Sequence, residues 1–83
     1  MRLDLYLHRI RLMKSRTGAQ ALIETGYVRV DGKRIEKVSE QIHEGSTISL
    51  PLHDKVRVFR VLSLPPRRGP AREAQLCYEE LTD

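Results

Sequence analysis

The segment that decides the fold runs from Ser15 to Ile35 and reads SRTGAQALIETGYVRVDGKRI. Its first part predicts a helix from about Arg16 to Thr25, because apolar residues recur at helical spacing, Ser15 is a good N-cap and Gly26 suits a left-handed helix end. The apolar period then falls from about 3.6 residues to about 2, which predicts two short strands. Between them Asp31-Gly32 supplies the positive-φ pair of a tight turn. The segment is therefore a helix followed by a β-hairpin.

The predicted hairpin places two arginines opposite each other. Val28 to Val30 is the outgoing strand and Lys33 to Ile35 is the return strand, so Arg29 faces Arg34 across the pair. Like charges held side by side on one face favour an anionic partner.

A first helix precedes this segment. Leu3, Tyr6, Leu7 and Ile10 lie at positions i, i+3, i+4 and i+7, which predicts a helix from about Leu3 to Arg11. Neither helix is long enough to persist alone in water, so their apolar faces must pack together.

A third strand follows the hairpin. Thr47 to Leu52 alternates in polarity and is entered through the Glu44-Gly45 turn. Pro51 has no N–H to donate to a neighbouring strand, so it predicts that this strand lies at a sheet edge.

The remaining chain predicts one more strand and a tail. The strand runs from Val56 to Leu64 after a connection at His53-Asp54, and its change of phase at Val58-Phe59 predicts a bulge. Prolines and glycine exclude regular structure from Pro65 to Pro70, and apolar spacing predicts a short helix from Ala71 to Leu81.

Together these elements predict an α+β fold. Two N-terminal helices pack on a small, mainly antiparallel sheet of four to five short strands, followed by a C-terminal extended tail with a possible short helix. We assign residues 1–64 to one domain and residues 65–83 to the tail. The 83 residues are enough for one small domain and too few for a large enzyme.

Several classes of protein are disfavoured by composition. Cys77 has no second cysteine to pair with, and it lies on an apolar stripe, so we expect a buried side chain and not a nucleophile. No apolar run is long enough to cross a bilayer, and the first residues are too charged for a signal peptide, so we expect a cytoplasmic protein without a membrane partner. The histidines and serines form no metal-binding or catalytic motif. We therefore expect no enzyme activity, no metal and no cofactor.

The net charge of +4 is unevenly distributed along the chain. Residues 1–37 contain nine basic and four acidic side chains, a net charge of +5, whereas residues 38–83 contain six basic and seven acidic ones, a net charge of −1. The positive field belongs to the first half, where it would attract phosphates, acidic proteins or an anionic surface.

The cations and polar groups of the first half could line one concave surface. Helical and hairpin spacing favours this arrangement for Arg2, Arg9, Lys14, Ser15, Arg16, Gln20, Arg29, Lys33 and Arg34. Free N–H groups and the helix dipole at the start of the second helix would add to phosphate affinity. Spacing alone explains a solvated basic face equally well. The chain is poor in aromatic residues, which argues against recognition by base stacking.

The string from Arg2 to Leu52 resembles the RNA-binding domain named after ribosomal protein S-four, a helix-helix-hairpin module. The matching residues are Arg2-Leu3-Asp4, Ser15-Arg16, Ala19, Leu22-Ile23, Gly26, the run from Val28 to Lys33, and Glu44-Gly45 before Thr47-Ile48. The tail from Arg67 to Glu80 is similar to that of the heat-shock protein fifteen family. The resemblance implies that RNA is contacted by Arg2, Lys14, Ser15, Arg16, Gln20, Arg29 and Lys33, to which geometry adds Arg9 and Arg34.

The resemblance also implies a function. That family binds the free large ribosomal subunit bearing a stranded peptidyl-tRNA, so we expect structured RNA as the partner, namely large-subunit rRNA and tRNA, and a role in rescue or quality control of stalled translation. We expect a monomer. Two features depart from the family. Asp31 replaces the usual asparagine of the turn, and the sequence stops at Asp83 without the longer basic extension of that family. In its short length the sequence is closer to a related ribosome quality-control factor.

Two other functions stay open. The chain could be a stand-alone targeting module that assists an RNA-modifying enzyme or a tRNA synthetase. It could also be a protein-interaction module that uses either the edge strand from Thr47 to Leu52 or the last helix, with Glu73, Glu79, Glu80 and Asp83 making the contacts.

Overall fold

The computed structural model describes residues 1–81 and has the predicted α+β architecture. Within these residues the helices are α1 (Leu3–Arg9), α2 (Arg16–Glu24) and α3 (Ala71–Gln75), and the strands are β1 (Val28–Val30), β2 (Lys33–Ile35), β3 (Thr47–Leu52), β4 (Lys55–Val61) and β5 (Tyr78–Glu80). The strands form one antiparallel sheet in the order β2-β1-β3-β4-β5. Both N-terminal helices share a hydrophobic core with this sheet.

The helix-hairpin segment forms as predicted. The Ser15 hydroxyl caps α2 by accepting a hydrogen bond from the Gly18 N–H, with a donor–acceptor distance of 3.0 Å. Gly26 follows the helix with a φ of +81°, and the hairpin turn consists of Asp31, with a φ of +51°, and Gly32, with a φ of +84°. Local sequence signals therefore set both ends of this segment.

The first helix is shorter than predicted. It ends at Arg9 and not at Arg11, whose φ of +66° is left-handed. A left-handed residue cannot continue a right-handed helix, so the chain turns here toward α2. The Met13 N–H donates to the Leu7 carbonyl oxygen at 3.1 Å, which holds the connection against α1.

The third strand lies inside the sheet, so the edge position predicted from Pro51 is wrong. On one side β3 pairs with β1 through Ile48 and Ser49, and on the other side it pairs with β4 along its whole length. Pro51 is tolerated because β1 has only three residues and its pairing with β3 ends at Ser49. The segment Thr47–Leu52 is thus not a free edge for another protein.

The fourth strand is also shorter than predicted and is regular. It ends at Val61 instead of Leu64, and its register with β3 is continuous, so the predicted bulge is wrong. The change of phase has a simpler cause. Phe59 and Val61 face the core, whereas Val56 and Val58 alternate with them and lie on the other side of the strand.

The tail forms a short helix and then a strand, which corrects the single helix predicted from Ala71 to Leu81. The helix α3 ends at Gln75, and β5 pairs with β4. This pairing supplies backbone partners along one edge of β4, which a helix could not do. The Tyr6 hydroxyl donates to the Cys77 carbonyl oxygen at 2.8 Å and so joins the tail to α1. The division of the chain at residue 64 stays a prediction.

The core lies between the two N-terminal helices and the inner face of the sheet. Its large buried side chains include Leu3, Tyr6, Leu7, Ile10, Ile23, Val28, Ile42, Ile48, Leu50, Phe59 and Val61. Burying one such aliphatic or aromatic side chain contributes about 1.5–3 kcal/mol. Cys77 is buried in this cluster, in agreement with its predicted place on an apolar stripe.

Candidate nucleic-acid interface

A buried carboxylate organises the start of the two helices. Asp4 is 0% exposed, the one buried carboxylate within residues 1–81. Arg2 donates to it twice, from Nε to Oδ1 at 3.1 Å and from Nη2 to Oδ2 at 3.0 Å. Arg16 Nη2 donates at 3.3 Å and Gln20 Nε2 at 2.9 Å, both to Oδ2. We call Asp4, Arg2, Arg16 and Gln20 the Asp4 cluster.

The carboxylate of the Asp4 cluster is held in its ionised form. Burial acts to raise the pKa of Asp4, but hydrogen bonds from Gln20, Arg2 and the Leu5 N–H outweigh it, and the pKa lies below its ordinary value. The arginines remain accessible, with 39% of the Arg2 side chain and 43% of the Arg16 side chain exposed. The buried anion therefore fixes two guanidinium groups that still face solvent.

The beginning of α2 lies beside the Asp4 cluster. The Ser15 hydroxyl is occupied by its bond to the Gly18 N–H, so its role in the structure is that of a helix cap. Lys14 precedes it and is exposed. The first N–H groups of a helix and the positive end of its dipole add to the charge of such neighbours. The start of α2 is thus a positively charged patch formed by Lys14, Ser15 and Arg16.

The hairpin holds its two opposed arginines in different ways. The predicted register of Arg29 with Arg34 is confirmed. Arg29 Nη1 donates to the Gly32 carbonyl oxygen at 3.4 Å, whereas Arg34 Nε lies 3.3 Å from Glu36 Oε1. The Arg34 guanidinium also lies against Gly26, where a Cβ would be 2.5 Å from Arg34 Nη2. The two like charges are therefore bound by separate groups, and Lys33 is exposed beside them in β2.

Hydrogen bonds within residues 1–81 link only some of the predicted surface residues to one another. The structure brings together Arg2, Arg16 and Gln20, with Lys14 and Ser15 at the adjoining helix start. Within residues 1–81 no hydrogen bond or ion pair joins the hairpin cations to the Asp4 cluster. Arg9 lies at the other end of α1, where its Nη1 donates to the Pro65 carbonyl oxygen at 2.9 Å.

Sequence reasoning missed the role of Asp4, which it included in the matching string Arg2-Leu3-Asp4 but otherwise treated only as a negative charge. A signal was present. Asp4 lies three residues before Leu7 and next to Leu3, so the helical register already placed it beside the buried face. A carboxylate at that position needs cationic or N–H partners.

Two other kinds of site, a membrane-spanning helix and a metal centre, have no counterpart in residues 1–81. No helix in residues 1–81 has the length and apolar character required to cross a bilayer. No three histidine, cysteine or acidic side chains in those residues converge as metal ligands would.

Known proteins resemble this arrangement in sequence. Residues 1–48 match the family model of the S4 domain. The chain is 35% identical over 83 residues to heat shock protein 15 of Escherichia coli K12, covering 100% of this chain and 62% of that protein. A Haemophilus influenzae homologue of heat shock protein 15 is 35% identical over 80 residues, with 96% of this chain and 60% of the relative covered. The chain thus spans about three-fifths of the length of these relatives.

The ribosomal protein uS4 of Lysinibacillus sphaericus matches a shorter part. It is 43% identical over 49 residues, which cover 59% of this chain and 24% of uS4. The three relatives are named as heat shock or ribosomal proteins and not as enzymes.

Solved structures agree with the sequence matches. The trimeric structure of Vibrio cholerae heat shock protein 15 has a TM-score of 0.90 and 31% identity, covering 96% of this chain and 80% of that one. The solution structure of the hypothetical protein HP1423 has a TM-score of 0.82 and 27% identity, covering 100% and 99% of the two chains. The chain therefore belongs to the S4 domain family of RNA-binding domains, and it is similar to heat shock protein 15 over nearly its whole length.

Proposed function

We propose that this protein binds the large ribosomal subunit in the cytoplasm, through rRNA and peptidyl-tRNA, and acts in rescue or quality control of stalled translation. Its membership of the S4 domain family and its similarity to heat shock protein 15 support this role. The observation that carries the proposal is the Asp4 cluster. In it the buried Asp4 carboxylate holds Arg2 and Arg16 in fixed positions next to the start of α2.

The Asp4 cluster suits phosphate recognition. A guanidinium group offers five N–H donors in a planar fork, and in Arg16 only one of them is used by Asp4. Donors that are already positioned lose less conformational entropy on binding than free side chains do. Contacts of this kind position a protein on the RNA backbone and are independent of base sequence. The proposed interface therefore reads RNA shape, with Arg29, Lys33 and Arg34 as further contacts.

Salt dependence tests RNA binding directly. If the interface neutralises about six phosphates, the logarithm of the association constant should fall with the logarithm of salt concentration with a slope of about −4 to −5. Filter binding with a structured fragment of large-subunit rRNA measures this slope. A flat response would contradict the proposed function.

The ribosomal role needs a separate measurement. We expect the tagged protein to cosediment with free large subunits in a sucrose gradient, and a cryo-EM reconstruction of those subunits would identify the RNA contacted. Copurification with an RNA-modifying enzyme or a tRNA synthetase, without subunits, would instead favour the targeting module.

The protein-interaction alternative has lost part of its basis. Its edge strand is an interior strand, and Glu79 forms an ion pair with Arg60 within the sheet. Asp83, another of its proposed contacts, lies outside the described residues. A stable protein partner in material purified at low salt, without nucleic acid, would restore that alternative.

The oligomeric state is also a prediction. We expect a monomer in light-scattering measurements, although the Vibrio cholerae relative is described as trimeric. A trimer at micromolar concentration would contradict the prediction.

A further inference from the structure

Three arginine side chains join the end of α1 to the proline-rich segment before α3. Arg9 Nη1 donates to the Pro65 carbonyl oxygen at 2.9 Å, and Arg11 Nε donates to the Gly69 carbonyl oxygen at 2.7 Å. In the opposite direction, Arg68 Nε donates to the His8 carbonyl oxygen at 3.1 Å. We call Arg9, Arg11, Arg67 and Arg68 the arginine seam.

The arginine seam keeps most of its hydrogen-bonding capacity. Each of the three bonds uses a single N–H of a guanidinium that carries five. Arg67 is exposed. Within residues 1–81 no member of the seam lies within ion-pair distance of a carboxylate; the acidic group that shares its surroundings is Glu73, which lines the same cavity as Arg9 and Arg67.

The net charge of the second half of the sequence does not reveal the positive charge of the seam. Residues 38–83 sum to −1, although they contribute Arg67 and Arg68. Part of the negative charge in that half lies on β5, where Glu80 pairs with Arg57 and Glu79 pairs with Arg60. The fold therefore places Glu79 and Glu80 at one edge of the sheet. It places Arg67 and Arg68 next to the basic N-terminal half instead.

The seam adjoins the Asp4 cluster, because His8, whose carbonyl oxygen accepts from Arg68, lies about one helical turn after Asp4 on α1. His8 lies between them on α1, and its pKa is lowered by burial and by the charges of Arg68, Arg16 and Arg9. Arg68 and Arg9 belong to the seam, and Arg16 belongs to the Asp4 cluster. The His8 imidazole is thus within electrostatic range of both the seam and the Asp4 cluster.

A cavity opens beside the seam. It has a volume of about 240 Å³, and its lining includes Arg9, Arg67 and the acidic Glu73 together with the apolar groups of Leu64, Pro65, Ala74 and Cys77. Sites for drug-sized ligands usually measure about 300–1,000 Å³, so this smaller cavity has room for a single base and not for a larger ligand. A base held in a duplex cannot enter such a cavity, whereas an unpaired base can be splayed out of its strand and bound between apolar and guanidinium groups.

We propose that the arginine seam is a second RNA-contacting surface, which receives an unpaired strand adjoining the structured RNA bound by the Asp4 cluster. Its guanidinium groups bind the phosphates, and the cavity takes one base. This inference rests on the proposed RNA-binding function and extends it to a strand that the N-terminal helices and hairpin do not reach by themselves.

Two RNAs test the inference. One is a plain stem-loop, and the other is the same stem-loop with a short unpaired extension, each labelled for fluorescence anisotropy. The double variant Arg67→Ala/Arg68→Ala removes two seam charges. The matched control Arg57→Ala/Arg60→Ala removes two arginines from the β4–β5 edge.

We expect the natural protein to bind the extended RNA more tightly than the plain stem-loop. The seam variant should lose this preference, and its log-log salt slope on the extended RNA should be smaller by about 1.4, because each phosphate contact to a single strand contributes about 0.7. The affinity of the seam variant for the plain stem-loop should change no more than the affinity of the Arg57→Ala/Arg60→Ala control does. The control should still prefer the extended RNA.

A third variant separates the base from the phosphates. Ala74→Met would fill the cavity without changing charge, so the preference for the extended RNA should fall at an unchanged salt slope. If this variant keeps the full preference, the base does not enter the cavity. Within residues 1–81 the Arg67 side chain forms no hydrogen bond, so Arg67→Ala alone is a milder seam variant that should still fold if the double variant does not.

The results separate failure of this inference from failure of the proposed function. If the natural protein binds both RNAs equally, or if the seam variant keeps the preference, the second surface is overturned while RNA binding stands. If the natural protein binds neither RNA with salt dependence, the proposed function itself fails.

Discussion

Arginines occupy two regions of this molecule with opposite electrostatic results. On the helical side, Arg2 and Arg16 share one carboxylate, Asp4. At the β4–β5 edge, Arg60 has its own carboxylate in Glu79, and a second matched pair lies beside it. The same residue type therefore forms a positive surface on one side and a balanced one on the other. The ratio of guanidinium groups to nearby carboxylates decides where an anionic partner is attracted.

Burial separates the two regions as well. Asp4 is fully buried, whereas the Glu79 side chain is 52% exposed. An exposed ion pair is screened by water and salt and contributes little to stability. A buried carboxylate has lost its hydration and depends on its protein partners. The Asp4 cluster should therefore contribute to both stability and RNA binding, whereas the ion pairs at the β4–β5 edge should contribute little to either.

The largest expected effect is on stability. Asp4→Ala removes the acceptor shared by Arg2, Arg16 and Gln20, so the free energy of unfolding should fall by about 1–3 kcal/mol. Urea unfolding at neutral pH measures this change. The matched substitution Glu79→Ala should lower it by less than about 1 kcal/mol. Equal losses would erase the proposed difference between the regions.

The next effect is on RNA affinity. Arg16→Ala should weaken binding of structured RNA by about tenfold, which corresponds to roughly 1.4 kcal/mol, and should reduce the salt slope by about 1. Arg57→Ala, outside the proposed interface, should leave both quantities nearly unchanged. Arg16→Lys keeps the charge but not the planar fork, so it should lie between the two. A loss with Arg57→Ala equal to that with Arg16→Ala would contradict the mapping.

Acid should weaken the helical side selectively. Because the pKa of Asp4 is lower in the folded protein, the unfolded chain binds its proton more readily. The stability that Asp4 contributes is present above the unfolded pKa, which is near 3.8, and is lost as pH falls through the lower folded pKa. Urea unfolding across this range should therefore be less pH-dependent in Asp4→Asn than in the natural protein. Identical pH profiles would exclude the linkage.

The smallest effect concerns His8. Its pKa is lowered in the free protein by burial and by neighbouring arginines, so phosphates bound to those arginines should raise it. An NMR titration of the ring protons, with and without RNA, measures the change. A His8 titration unaffected by saturating RNA would place the RNA away from both the Asp4 cluster and the seam.

Much of the helix-hairpin segment could be predicted because its signals are local. A cap such as Ser15, a left-handed glycine such as Gly26 and a turn such as Asp31-Gly32 act on residues that are near neighbours in the chain. The period of apolar residues then sets which face is buried. The register that opposes Arg29 to Arg34 follows from the turn alone.

Other features depend on partners that no local pattern specifies. Pro51 predicts an edge only if the neighbouring strand is long enough to reach it, and β1 is not. The apolar residues Ala74, Cys77, Tyr78 and Leu81 have helical spacing, but the available edge of β4 makes Tyr78–Glu80 a strand. Backbone pairing across a sheet can override a short helical preference of this kind.

The candidate site divides in the same way. Its cations, the first-half charge and the positive helix start are properties of the sequence, since each depends on residue type and short spacing. The Asp4 cluster joins residues 12 and 16 positions apart, and the bond from Arg68 to His8 spans 60 positions. Only the tertiary structure decides such contacts, because they arise when the core brings distant segments together and a buried charge must then find its partners.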